Sequence, residues 1–476
     1  MGRASLTATL LAVGLATACS GSTAAPGTAA VRAGGDWTRF GYDAARRNVG
    51  PAATGITSAN VRHLRRQRVV LPGTVDASPI YLRGVSVSGG RHDVFFATTS
   101  YGITLAVDAD SGHILWRFTP RGYRSWAGSD RITNSTPVAD PSRRFVYAAA
   151  PNGRIYKLVV SSGKAVWSVS ITRLPSREKL GTALNFSRGL VLATTGGYVG
   201  DVPPYQGHVV AISAARGRLV HIWNSLCSNR HVLIAPSSCP ETDSAIWARS
   251  GAVVQPRTGN ILVATGNGRF DGRRYWGDSA LMLSPTAARL LYNWTPRNQA
   301  ELARSDIDLG STAPAVLGPK RAVQSGKDGL LRLLRLPSLG GRRGRTGGEL
   351  QTMAAPGRSG VFTTVCVWRR RGRVRIVVAN DAGTWSYRLV QGRLRVAWRA
   401  SDAGTSPVLA GGLLYVYDPG GGLDVRDPST GRLLTRLAAG GGHWNSPIVT
   451  DGRIALPEGD ANEHRTTGVL DIYRLP

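Results

Sequence analysis

The sequence predicts an all-β chain closed into an eight-bladed β-propeller of four-stranded blades, and three observations carry that expectation. The first is a recurring frame. Residues 106–116 (AVDADSGHILW) read as a strand, a tight Ser-Gly turn and a second strand closed by tryptophan. The same layout returns at 157–167 (KLVVSSGKAVW) and 425–435 (VRDPSTGRLLT). Recurrence of one unit marks a repeat architecture. The second is composition: glycine, proline and β-branched residues abound, and no long stretch has helical periodicity. The third is the strand count, which closes at eight.

Each repeat opens on small residues, commonly followed by proline, and ends on an outer strand. The first runs from Ser78-Pro79 to Trp116, and the second from Ser135-Thr136-Pro137 to Trp167. The third begins near Gly181-Thr182-Ala183 and closes near Trp223, with a loop inserted at 196–207. The fourth runs from Gly251 to Trp294, and the fifth opens at Gly310-Ser311-Thr312. The sixth spans 360–398 and the seventh 406–437. The eighth opens at Asn445-Ser446-Pro447 but holds only three strands, so residues 66–71 are expected to supply its fourth. That closure leaves no free sheet edge. Residues 37–64 are expected to pack against the first or last blade. The tryptophans at 116, 167, 223 and 398 read as docking between blades, each indole N–H reaching a neighbouring carbonyl.

The formal charge is +30, almost all of it arginine, with only five lysines in 476 residues. The densest runs, 342–345 and 369–375, read as inter-strand loops without interleaved aromatics. A nucleic-acid partner is therefore not expected, since a stacking platform needs such rings. Solvated loops are the first reading, and attraction to anionic lipid or cell-wall polymer is the second.

Arg3 and the apolar run 6–15 form an export signal too short to span a bilayer. The following Ala16-Thr17-Ala18-Cys19 resembles a bacterial lipobox. The expectation is a signal peptide over 1–19, lipidated Cys19 anchoring the chain to the membrane, a tether over 20–36 and the ring over 37–476. Simple secretion is the alternative. Cys227 and Cys239 flank an eleven-residue loop and are expected to form a disulfide in an oxidising compartment. Cys366 reads as a buried free thiol.

The motif A-x-D-x-x-S/T-G-x-x-x-W resembles the tryptophan-docking repeat of the pyrroloquinoline quinone (PQQ) propellers. That superfamily, of quinoprotein alcohol dehydrogenase-like type, contains eight-bladed dehydrogenases and a non-catalytic outer-membrane assembly lipoprotein. Resemblance by position implies a site. Trp247 is similar to the aromatic floor under the quinone, and Asn267 in Ala264-Thr265-Gly266-Asn267-Gly268 to the calcium-binding asparagine. Asp306 is similar to the catalytic base, with Asp308 as a further metal ligand, and Lys327 to the cation contacting the quinone. The implied cofactor is PQQ with calcium or a lanthanide.

Two family features are missing. The calcium-binding glutamate of the third blade is replaced by Gly196-Gly197-Tyr198-Val199-Gly200-Asp201, where Asp201 is the candidate substitute, and no Cys-Cys pair occurs. No CxxCH haem site is present, so electrons would go to an external acceptor. Two functions stand open: a dehydrogenase for an alcohol or polymeric alcohol, and a non-catalytic scaffold binding a protein or cell-envelope ligand.

Overall fold

Each repeat folds as an antiparallel blade, and its turn glycine explains why the frame recurs. In blade 1 (Ile80–Val87, Gly90–Thr98, Thr104–Asp108, Ile114–Phe118), Asp108 Oδ1 caps the turn by accepting from the Ser111 N–H and hydroxyl at 2.6 and 2.7 Å. Trp116 then donates from Nε1 to the Val160 carbonyl of blade 2 at 2.8 Å. Trp167 donates to Ala214 of blade 3 at 3.3 Å, and Trp398 to Pro428 of blade 7 at 3.1 Å. Beneath each indole lies the turn glycine of the next blade. A Cβ on Gly163 would stand 2.6 Å from Trp116, and Gly217 and Gly431 approach Trp167 and Trp398 equally closely. One residue thus supplies both a left-handed turn and space for a ring. Trp294 departs from the pattern, donating to the Glu349 carboxylate at 3.0 Å.

The computed structural model describes residues 34–336, 338–340 and 344–476. Eight four-stranded sheets follow in chain order, and a two-stranded ribbon pairs Glu178–Lys179 with Gly196–Gly197. Blade 2 ends on Ala165–Ser170, blade 3 on Leu219–Asn224, blade 4 on Leu290–Trp294 and blade 5 on Gln351–Ala354. Blade 6 ends on Arg393–Ala400 and blade 7 on Leu433–Leu437. Blade 8 holds Ile448–Thr450, Arg453–Glu458 and Gly468–Arg474, and Arg65–Leu71 pairs antiparallel with Gly468–Arg474 to complete it. The ring is closed as expected.

Three expectations change. Residues 37–64 do not rest on one terminal blade but cross the base of the ring. Trp37 pairs with Tyr81 of blade 1, and Thr38 accepts from Ala139 of blade 2. Further along, Ala44 accepts from Val254 of blade 4 and Arg47 from Val367 of blade 6, while Asn48 accepts from Leu409 of blade 7. Backbone groups at blade ends need partners, and this strap provides them. The arginines of 369–375 lie mostly on paired strands, Cys366–Arg370 and Arg373–Asn380, rather than in a loop. Residues 34–36, expected to be tether, already bond the ring: Gly35 N–H donates to Thr450 Oγ1 at 3.2 Å. The signal segment, Cys19 and most of the tether lie outside the described residues, as do residues 342 and 343 of the other arginine run. Cys227 and Cys239 form the disulfide, and Cys366 is a buried free thiol.

On one side of the ring the strap lines a cavity of about 870 Å³ together with the turns between first and second strands of blades 4, 5 and 7; a smaller pocket opens at the opposite mouth, where the segments that precede the inner strands gather. The site lies there.

Candidate functional site

A pocket of about 320 Å³ opens at this mouth, lined by the segments that precede inner strands and by the 196–205 loop. Its aromatic wall is Trp247, Trp444 and Phe362. Trp247 and Trp444 are stacked with centroids 5.8 Å apart, as are Phe362 and Trp444, and Lys327 Nζ lies 5.7 Å from the Trp247 ring centroid. A flat ligand needs two contact gaps of about 3.5 Å each to enter between two rings. The 5.8 Å spacing is too tight for that, so such a ligand would lie against the cluster and not within it.

Four of the sequence-selected residues meet at the pocket rim. Asn267 follows the strand Ile261–Ala264, and Asp306 and Asp308 follow the short helix Gln299–Arg304. Asn267 donates from its backbone N–H to Asp308 Oδ1 at 2.8 Å and from Nδ2 to Asp306 Oδ1 at 2.6 Å. Lys327 Nζ bridges the carboxylates, 3.1 Å from Asp306 Oδ1 and 2.5 Å from Asp308 Oδ2. Glycine makes the approach possible: a Cβ on Gly266 would stand 2.0 Å from Asp308 Oδ1. Burial raises the Asp308 carboxyl above its usual range in spite of Lys327, while Asp306 is 65% exposed.

Several features mark this rim as a built site. Asn267 Oδ1, Ser244 Oγ and Asp278 Oδ2 are buried and have no hydrogen-bond partner. Such atoms are costly unless something satisfies them. Burial, then the Asp308 charge, holds the Asp278 carboxyl well above its ordinary range. Asp201, Asp243, Ser244, Asp278 and Asp306 all have positive φ, and strained backbone of this kind gathers at functional sites.

Asp201 also lines the pocket, and its Oδ1 accepts from the Tyr205 hydroxyl at 3.0 Å. Partial desolvation, with Asp306 nearby, raises its carboxyl. Among the described residues, the one group of three Asp, Glu, His or Cys side chains converging within metal-ligand distance is Asp76, His443 and Asp460, of which His443 lines the pocket. Both Asp76 oxygens are already used: Oδ1 pairs with Arg249 at 2.9 Å, and Oδ2 accepts from Asn134 and His443 at 2.6 and 2.8 Å. Arg249 and His443 outweigh burial and keep the Asp76 carboxyl well below the usual range. This group reads as a hydrogen-bonded hub.

Asp76, Asn134, Lys179, Arg249, Phe362 and Trp444 were not selected from the sequence. A signal existed for three of them: Asp76, Asn134 and Trp444 each stand three residues before the opening proline of a blade, Pro79, Pro137 and Pro447. Lys179 is presented by the two-stranded ribbon, whose neighbouring Glu178 is buried against His208 Nε2 at 3.1 Å. Desolvation pulls the Lys179 ammonium down to about 8, with Asp76 acting in the opposite sense.

The donors here are oxygens, the kind a hard cation takes: Asn267 Oδ1 is buried without a partner, Asp306 beside it is engaged through Oδ1, and both Asp308 oxygens are held, Oδ1 by the Asn267 N–H and Oδ2 by Lys327. The aromatic wall with Lys179, Arg249 and Lys327 suits a flat polyanion.

Known proteins agree with this architecture. Residues 68–253 match the family model described as "Outer membrane protein assembly factor BamB". The quinohemoprotein alcohol dehydrogenase ADH IIB of Pseudomonas putida is 29% identical over 348 residues, covering 64% of this chain and 47% of that protein. The dehydrogenase subunit of the quinone alcohol dehydrogenase of Komagataeibacter europaeus is 28% identical over 134 residues, 26% of this chain and 18% of that one. The chain therefore spans about half or less of these curated relatives. In fold it is similar to the Comamonas testosteroni quinohemoprotein alcohol dehydrogenase, with TM-score 0.69 at 15% identity over 94% of this chain and 81% of that one. It is also similar to BamB of Moraxella catarrhalis, with TM-score 0.55 at 14% identity over 86% and 99%. The fold and these matches define an eight-bladed PQQ-type propeller. In sequence and in fold the chain is similar to proteins of the quinoprotein alcohol dehydrogenase-like superfamily.

Proposed function

We propose that the protein is an exported quinoprotein dehydrogenase that oxidises a small alcohol or the hydroxyls of a polymer. The observation that carries this reading is the Asn267–Asp306–Asp308–Lys327 cluster at the rim of the aromatic pocket. Trp247 would be the floor for PQQ, and Lys327 would clamp its quinone oxygens. Arg249 and Lys179 would face its three carboxylates. Asn267 Oδ1 with Asp308, and Asp201 across the pocket, would hold calcium or a lanthanide. Bound PQQ supplies a two-electron acceptor, which no side chain of the protein provides. The exposed Asp306 carboxylate takes the hydroxyl proton of the substrate, and the aromatic wall holds the substrate's carbon skeleton away from water. Reoxidation of the bound group would require an external acceptor, since the sequence holds no CxxCH haem site. Export, with anchoring through lipidated Cys19, is part of the proposal and rests on the pattern of the first 21 residues.

A non-catalytic scaffold is the second reading, favoured by one observation: Asp201, in the glutamate's place, is already engaged by Tyr205. The discriminating experiment is dye-linked oxidation of a panel of alcohols by protein loaded with PQQ and calcium. Turnover that disappears in Asp306→Asn supports the dehydrogenase. PQQ binding without turnover of any alcohol supports the scaffold. Release of the protein from membranes by Cys19→Ala tests the anchor.

A further inference from the structure

Blade 6 carries a row of arginines at the outer margin of the face that it packs against blade 7. Between residues 366 and 400 the sequence holds nine arginines and a single acid, Asp381. The register places them together. Arg375 pairs with Arg388 on the next strand, and Arg388 with Arg395 on the one after; on the other side Arg370 pairs with Arg373. Partners directly opposite in an antiparallel sheet point to the same face, with strands about 4.8 Å apart. Like charges in that arrangement are destabilising. Yet no carboxylate lies within ion-pair distance of these five side chains among the described residues, the Asp427 carboxylate acting on Arg370 only from further off, and only Arg375 makes a side-chain hydrogen bond, to the Ser429 carbonyl of blade 7 at 3.4 Å. A surface cleft of about 450 Å³ is lined by Arg370, Arg371, Arg373 and Arg375 alone. Partial burial, then the charges of Arg370, Arg388 and Arg373, lowers the Arg375 guanidinium.

We propose that this arginine row of blade 6 binds a linear phosphate polymer. Guanidinium forks match phosphate oxygens two by two, and a row crossing three strands fits a ligand with repeated charge better than a single anion. A membrane surface fits less well, because none of the exposed large apolar side chains belongs to blade 6, so nothing there would insert. A nucleic acid also fits less well: Trp368 and Trp398, whose rings could stack on bases, are each only 8% exposed. The proposal is independent of the pocket chemistry.

The test uses inorganic polyphosphate as probe, with the full chain and two triple variants of equal charge loss. One is Arg375→Ser, Arg388→Ser, Arg395→Ser; the other is Arg124→Ser, Arg216→Ser, Arg257→Ser, at exposed positions outside blade 6. The blade 6 variant should bind polyphosphate at least tenfold more weakly, and its Tm should rise at low salt as repulsion is relieved. The other variant should bind within about twofold of the parent. Equal loss in both would reduce the effect to net charge and overturn the proposal. So would tighter binding to phosphatidylglycerol vesicles or single-stranded DNA than to polyphosphate. If the blade 6 variant does not fold, dicarbonyl labelling of arginine in the unaltered protein decides. Polyphosphate should protect Arg373, Arg388 and Arg395 selectively, and uniform protection across all blades would contradict it.

Discussion

Lys327 Nζ lies 2.5 Å from Asp308 Oδ2, and that ammonium is the only cation that meets the buried carboxylate among the described residues. Removing it with Lys327→Met leaves Asp308 buried and unpaired. Breaking a fully buried pair costs about 3–5 kcal/mol, and because Lys327 retains 21% exposure the expected loss is about 2–3 kcal/mol. The sign with pH follows from the raised Asp308 carboxyl. In the variant the folded state keeps a proton that the unfolded chain releases above the ordinary carboxylate range, so the loss should be greater at pH 8 than at pH 5. Calcium should return part of the lost Tm, because it would face the same oxygens. Thermal unfolding at both pH values, with and without calcium, checks this; an equal loss at both would contradict it.

Ring closure has its own pH dependence. Arg66 on the closing strand lies 2.5 Å from Glu458 and 2.9 Å from Asp471, two carboxylates on adjacent strands of blade 8. Burial and the Glu458 charge push Asp471 up to about 7 against the pull of Arg66. For Glu458, the hydrogen bond from Asp471, the Gly440 N–H and both arginines outweigh burial and lower it. A raised folded-state pKa favours folding while the proton is held and stops doing so as pH rises through about 7. Stability should therefore fall between pH 5 and pH 8, by at most about 1.4 kcal/mol per pH unit from this group. Asp471→Asn should flatten that decline in denaturant titrations.

Lys179 should be the most reactive lysine of the folded protein. Its ammonium is brought down to about 8, and it makes no ion pair among the described residues. Reductive methylation at pH 8 should modify it ahead of Lys164 and Lys320, which are not in the pocket. Prior addition of PQQ should protect it. Peptide mass spectrometry reads both effects, and equal labelling of all lysines would count against a desolvated Lys179.

The repeat glycine should tolerate no side chain. Gly163 has φ 69° and a Cβ there would stand 2.6 Å from Trp116. Gly163→Ala combines left-handed strain with overpacking, so a loss of about 2–4 kcal/mol is expected. Gly189→Ala, at φ 74° with open space around it, should cost only the backbone term of about 1 kcal/mol.

The fold was legible because its determinants are local: a turn glycine that lies under a tryptophan ring of the preceding blade, joined in blades 1 and 7 by a capping aspartate, Asp108 and Asp427. The closing strand at Arg65–Leu71 followed from counting strands. The strap was not legible, because it is held by single backbone hydrogen bonds to successive blades and has no periodic pattern of its own. At the site, Asn267, Asp306, Asp308 and Lys327 were found through their similarity to one family's order along the chain. Lys179 and Arg249 were missed because their chemistry comes from burial beside Asp76, distant from both in sequence. The arginines of blade 6 were read as loops, since strand register is what turns scattered arginines into a row.

Calorimetric titration of PQQ into the full-length protein, with calcium, with a lanthanide and with EDTA, tests the central claim most directly. Saturable one-to-one binding that depends on the metal, and is lost in Trp247→Ala and Lys327→Met variants that remain folded, is the expected result. No heat of binding under any metal condition would contradict a quinone site and leave the propeller as a scaffold.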